Sequence, residues 1–251
     1  PAMDDGIFNP DLYLERLERS IIESVPAPVA VIVSFPSNPT AQVVSLKFYE
    51  EVVKIALKYN VYILSDLAYA EIYYDNSPPP SILQIPKAKE VAVEFTSMSK
   101  TYAMAGWRIG FAVGNKRLIN ALTRIKSYLD YGAFTPVQVA AATALNGPQD
   151  CVQEIRNTYQ KRRDILINSM ARAGWNIPSP KASMFAWAPI PAKYKDKGSL
   201  EFAKELMLKA DVAVSPGVAF GEFGEGFVRV GLVENEQRIR QAAKNIKKLL
   251  M

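Results

Sequence analysis

A chain of 251 residues, 49% apolar and with a formal charge of +5, is long enough to bury a sizeable core in one or two domains. It has no histidine and one cysteine, Cys151, which excludes Ser-His and Cys-His catalysis, histidine-based zinc sites and an internal disulfide. No run approaches the roughly 18 apolar residues of a membrane helix, no secretory signal opens the chain, and the basic residues are dispersed; a cytoplasmic protein without membrane or nucleic-acid partners is expected.

In chain order, residues 11–24 read as an amphipathic helix. Residues 29–34, 61–65, 91–96 and 109–114 are short, continuously apolar runs and read as buried strands. Residues 46–60 carry Phe48, Val52, Ile55, Ala56 and Tyr59 at helical spacing. This β–α–β order predicts an α/β fold with a mostly parallel sheet and helices on both faces. Pro78-Pro79-Pro80 marks a stiff loop. Thr135-Pro136 reads as a helix start with Thr135 as the N-cap, and Gly147 as its end. Residues 148–174 read as one long helix closed by Gly174, with Cys151 as a small packing residue near its start.

The composition then changes. Residues 181–189, 212–215 and 227–232 read as strands, and 199–210 and 235–250 as helices. A boundary inside the long helix, near residues 155 to 170, divides the chain into 1–160 and 161–251, the latter a small C-terminal α+β domain. Four strands with their helices leave sheet edge and face uncovered, and the chain opens on Pro1. It is expected to be the C-terminal part of a longer protein.

The chemistry centres on Lys100. The strand ending Thr96-Ser97-Met98-Ser99-Lys100 delivers an amine beside two hydroxyls, with Arg108 eight residues on. An amine forms a Schiff base with an aldehyde, while hydroxyls and a guanidinium hold a phosphate dianion. Pyridoxal 5′-phosphate (PLP) asks for both. Asp66 follows the strand before it, at a carboxyl end of the sheet, where a carboxylate would keep a pyridine nitrogen protonated. Tyr69 lies three residues further on. Asn38, just past the first strand, emerges at the same rim, and both side chains can donate to a phenolate oxygen.

Singly, each residue has an ordinary reading: a surface lysine, a loop carboxylate, a turn asparagine, a packing tyrosine, a salt-bridging arginine. Arg229, between Val228 and Val230, reads equally as the solvent side of an edge strand. Phe35, Tyr73, Phe185, Trp187 and Phe220 are candidates for a pocket wall or for core. The conjunction favours the cofactor.

Asn38-Pro39-Thr40, Asp66-x-x-Tyr69, Ser97-x-Ser99-Lys100 and Met104-Ala105-Gly106-Trp107-Arg108-Ile109-Gly110-Phe111 together resemble the fold-type I PLP-dependent aminotransferases of class I/II. The similarity runs along the whole chain and is strongest to bacterial alanine (glutamate–pyruvate) and aspartate aminotransferase-like enzymes. The resemblance implies part of a PLP-transferase large domain followed by a small domain. It makes Lys100 the Schiff-base lysine, Asp66 the pyridinium partner, and Asn38 and Tyr69 the phenolate donors. Ser97, Ser99 and Arg108 become phosphate ligands, and Arg229 the clamp on the substrate α-carboxylate. Transamination between an L-amino acid (alanine, glutamate or aspartate) and a 2-oxo acid, in a homodimer, is then expected.

Two departures stand out. The family's Asn-Pro-Thr-Gly is Asn-Pro-Thr-Ala here, and Ala41 costs about 1 kcal/mol if the turn needs a positive φ. The family's N-terminal arm, glycine-containing phosphate loop and cofactor-stacking aromatic ring have no counterpart, so the chain alone is expected to be inactive. A PLP-dependent β-lyase and a noncatalytic or regulatory aminotransferase-like domain stay open as alternatives.

Overall fold

The computed structural model describes residues 2–4 and 7–251. Two units pack separately: one takes the chain up to Pro36, Val43–Ile72 and Ser77–Ile155, the other Ser37–Gln42, Tyr73–Asn76 and Arg156–Met251.

The first unit opens with a short antiparallel pair, β1 (Met3–Asp4) and β2 (Ile7–Phe8). Helix α1 (Pro10–Glu23) starts where Asn9 Oδ1 accepts from the Leu12 N–H. After it come β3 (Ala30–Ser34), α2 (Leu46–Tyr59), β4 (Tyr62–Asp66), the single turn α3 (Ala88–Val91) and β5 (Ala92–Ser97). The turn α4 (Met98–Thr101), β6 (Gly110–Gly114), α5 (Lys116–Leu129) and α6 (Thr135–Asn146) complete it. The sheet runs β3-β4-β5-β6, the first three strands parallel and β6 antiparallel on β5. This is the expected α/β architecture with a mostly parallel sheet.

The core of this unit lies between α1, α2 and one face of the sheet, built on Phe35, Phe48, Val52, Ala56 and Ile63. Phe35 meets Phe8, Tyr13 and Phe48 at ring separations of 5.5 to 6.0 Å. It is core, not pocket wall.

Not every apolar run is buried. Ile32 on β3 is 73% exposed, and Phe111 and Val113 on β6 are exposed too, because β3 and β6 border the sheet and one flank of each has no neighbour among the described residues. Thr135 is the first helical residue rather than the cap. Phe134 is the extended residue before it, and its carbonyl accepts from Val137 and Gln138. Cys151 is exposed rather than a buried packing residue.

Glu94 on β5 is 4% exposed. It accepts from Ser81 Oγ at 2.7 Å and from the Ile82 N–H at 3.1 Å, but burial outweighs these bonds and raises its pKa above the ordinary glutamate value. An acid raised on folding binds more protons folded than unfolded. Stability is therefore greatest below the unfolded value and falls as pH rises through the window up to the folded one. Glu94→Gln keeps an acceptor and loses the charge. Its stability relative to the parent, followed by urea unfolding, is expected to improve from pH 4 to pH 7, each tenfold change in proton affinity corresponding to about 1.4 kcal/mol. A difference that stays flat across that range would mean Glu94 titrates alike in both states.

The division between the units falls within α7 (Asp150–Arg172), which Gly174 closes with φ +87°. The second unit continues with β7 (Phe185–Pro189), α8 (Gly198–Ala210), β8 (Ser215–Pro216), β9 (Phe227–Gly231) and α9 (Glu236–Leu250). Its antiparallel sheet has the order β7-β9-β8 over a core of Trp175, Phe202, Leu206, Val228 and Ile246. The strand expected over 212–215 is confined to Ser215–Pro216. Asp211 turns left-handed (φ +54°) and the Val212 N–H bonds back to Leu206 to finish α8, which takes residue 212 away from the sheet.

Residues 73–76 join this unit through Arg163. That guanidinium, 5% exposed, grips Asp75 with two bonds of 2.6 and 2.8 Å and holds the Asp75 carboxyl below its usual range. Tyr74 Oη also donates to the Ser183 carbonyl.

Candidate active site

Parallel neighbours β4 and β5 release their chains at the same carboxyl end of the sheet. Asp66, the last residue of β4, pairs with Phe95 of β5, two residues before Ser97. Its carboxylate is exposed, accepting from the Ala68 N–H at 3.1 Å and from Ser34 Oγ at 3.4 Å. One turn later comes Tyr69, whose ring centre lies 5.8 Å from Lys100 Nζ.

Lys100 is placed by α4, which β5 enters without a connecting loop. Ser97 caps this turn: its Oγ accepts from the Ser99 N–H at 3.1 Å, which leaves its own proton free to be donated. Ser99 is buried and Lys100 half-buried. Arg108 returns to the same place because the Ile109 carbonyl accepts from the Met98 N–H and Gly110 pairs with Ser97. Its guanidinium is exposed and bonds the Ala105 carbonyl at 3.0 Å. Its backbone is left-handed, φ +51°, a conformation that a side-chain-bearing residue adopts only where the surroundings enforce it. Close approach of β5 and β6 is needed as well: a Cβ on Gly110 would sit 2.5 Å from the Thr96 carbonyl oxygen.

The second unit holds the other expected residues. Arg229 occupies the middle strand of its sheet, not an edge, between buried Val228 and Val230. Its Nη1 donates to Asn38 Oδ1 at 2.8 Å and its Nη2 to Ser215 Oγ at 3.3 Å. The Phe185 and Phe220 rings lie 5.0 and 4.7 Å from the guanidinium carbon, each a cation–π contact of about 0.5–1 kcal/mol. Trp187 stacks on Phe227 and supports Phe220 edge-on. Tyr73 lies under Arg156.

Asn38 is carried by a closed loop. The Ala41 N–H bonds the Ser37 carbonyl, the Gln42 N–H bonds Ser37 Oγ, and Ala41 has φ +54°. The alanine therefore sits in the strained conformation expected of a glycine position. Ala41→Gly relieves about 1 kcal/mol of that strain, but it removes a buried methyl group and loosens the unfolded chain by comparable amounts. Urea unfolding is expected to find the two proteins within about 1 kcal/mol; a larger gain would mean the methyl contributes nothing to packing.

The structure thus groups Asp66, Tyr69, Ser97, Ser99, Lys100 and Arg108 in one unit, and Asn38 with Arg229 in the other. Ser215 was not anticipated; the sequence marks it only as the end of the strand expected over 212–215, and its register opposite Arg229 emerges in the fold.

Residues 9–246 match the family described as aminotransferase class I and II. The chain belongs to this family.

Among individual class I and II aminotransferases, it is 58% identical over 247 residues to a putative aminotransferase, AatC, of Rhizobium meliloti, covering 98% of this chain and 60% of that protein. It is 56% identical over 235 residues to the glutamate-pyruvate aminotransferase AlaC of Escherichia coli, covering 94% of this chain and 57% of the relative. The crystal structure of an aromatic aminotransferase from Pyrococcus horikoshii superposes with a TM-score of 0.87 at 28% identity, over 94% of this chain and 63% of that one. This aminotransferase chain therefore spans about three fifths of the length of the curated relatives it matches.

Proposed function

We propose that the complete protein is a PLP-dependent transaminase that moves an amino group between an L-amino acid, alanine, glutamate or aspartate, and a 2-oxo acid. Adjacent parallel strands that bring Asp66 and the Ser97-to-Lys100 turn to the same carboxyl end of the sheet, with Arg108 returned there by the pairing of Gly110 with Ser97, support this reading. The donor set fits the cofactor. Ser97, Ser99 and Arg108 would hold its phosphate, Asp66 its ring nitrogen, Tyr69 and Asn38 its phenolic oxygen, and Lys100 its aldehyde carbon. When bound, PLP supplies an electron sink for the pair left behind when a substrate Cα–H bond breaks.

The chain's own groups supply the rest. Arg229 takes the substrate α-carboxylate in two parallel bonds, which leaves the Cα–H bond only one way to turn. Lys100, as a free amine, accepts the Cα proton and returns it elsewhere, as general base and then general acid. Asp66 would hold a proton on the ring nitrogen it faces.

Residues 1–160 are proposed as part of the PLP-binding large domain and 161–251 as the C-terminal small domain. The enzyme is proposed to be a cytoplasmic homodimer; exposed Tyr128, Leu129, Tyr131 and Phe134 on and after α5 give it apolar surface to cover. Among the described residues, no helix is long and apolar enough to cross a membrane.

A donor–acceptor screen on the complete protein is the test. Equimolar pyruvate and glutamate from L-alanine and 2-oxoglutarate are expected. Ammonia and pyruvate released without any oxo-acid acceptor would make it a lyase instead.

A further inference from the structure

Helices α7 and α9 lie side by side in matching register. Arg162 Nη1 donates to the carbonyls of Leu232 and Val233 just ahead of α9, and Lys161 reaches Glu236 at 3.6 Å. The two helices run on from there in the same direction. The groove between them is lined by Asn168, Ser169 and Arg172 of α7 and by Arg240, Lys244 and Lys247 of α9. Spacings of four and three residues put each set on one helical face.

Four cations therefore share a groove. No carboxylate among the described residues pairs with any of them: Glu236 is taken by Lys161, and Asp164 by Arg163. Arg172 and Lys247 stand in the last turns of their helices, where the peptide dipole favours a positive charge. Arg240 and Lys244 stand in the middle of α9 and have no such compensation. Like charges four residues apart weaken a helix, so the arrangement is unfavourable until an anion enters.

We propose that this groove binds a compact polyphosphate, the chemistry shared by a nucleoside triphosphate and inorganic tripolyphosphate. Two guanidiniums offer paired bonds to phosphate oxygens and two ammonium groups add charge. The Ser169 hydroxyl and the Asn168 amide supply neutral donors. From Arg240 to Lys247 the helix rises about 10 Å, which one phosphate leaves half unfilled and three in a row cover. The groove belongs to the second unit, whereas Lys100, Ser97 and Arg108 belong to the first.

Isothermal calorimetry of the complete protein with inorganic tripolyphosphate tests it, with ATP in a second arm and sodium sulfate at matched ionic strength as reference. Tripolyphosphate is expected to bind, and the exposed-surface variant Arg240→Gln/Lys244→Gln to bind it about tenfold more weakly or worse. Arg108→Gln, which removes an anion contact of the first unit, is expected to leave that binding in place. Tighter binding of ATP would identify a nucleotide ligand, and equal binding the phosphate chain alone; both support the site. Affinity unchanged in the double variant, lost in Arg108→Gln, or matched by sulfate would overturn it. So would capture by anionic vesicles or duplex DNA with no tripolyphosphate binding.

Discussion

Replacing Lys100 with alanine is expected to cut transamination by the complete protein by about three orders of magnitude or more. On the proposed assignment the substitution removes both the amine that would engage the cofactor and the group that would carry the Cα proton, and positioned proton transfer alone contributes roughly 10²–10⁴-fold. The fold should survive, since Lys100 is half-buried and its ammonium group lies over the Tyr69 ring without an ion pair among the described residues. Borohydride treatment of the parent should leave cofactor mass on the peptide bearing residue 100, and the variant should show none. Near-normal turnover in the alanine variant would sink the assignment. Labelling of a different lysine would move the chemistry elsewhere.

Arg229→Gln is expected to raise KM for the amino acid by about 100-fold, roughly 3 kcal/mol of charge-assisted hydrogen bonding, while labelling at Lys100 persists. Neither partner of Arg229 is anionic. Asn38 and Ser215 offer neutral oxygens, so an incoming carboxylate displaces no ion pair and meets a guanidinium with its charge uncancelled. Arg229→Lys keeps that charge and loses the planar fork, so it should fall between the two, at about a tenfold rise. An unchanged KM in Arg229→Gln would assign carboxylate binding to another residue. A variant that lost labelling as well would point to misfolding instead.

Much of the first unit was readable from hydrophobic period alone, yet each of the four strands of its larger sheet begins one residue later than its apolar run. Val61 and Val91 show why. The Val61 N–H is committed to the Ala56 carbonyl at the end of α2, and Val91 is the last residue of α3, so each is apolar core before it is strand. Exposure along β3 and β6 was not readable, because an apolar run is silent about which neighbour is present. Lys100, Asp66, Ser97 and Arg108 could be put forward as candidates because residue type at short spacing is visible in sequence, and the fold places all four in the first unit. The surroundings of Arg229 were less so. Asn38 lies 191 residues away in the chain, and only folding reveals that its oxygen faces the guanidinium.

The two outer strands of the first sheet carry a practical consequence for handling the isolated polypeptide. Among the described residues, no strand pairs with the outer sides of β3 and β6, which carry the exposed Ile32, Phe111 and Val113. Such borders seed strand-by-strand stacking between copies, without a charged gatekeeper to interrupt it. Expressed by itself, the polypeptide should gather into inclusion bodies, and a lysine at Ile32 should keep more of it in the supernatant.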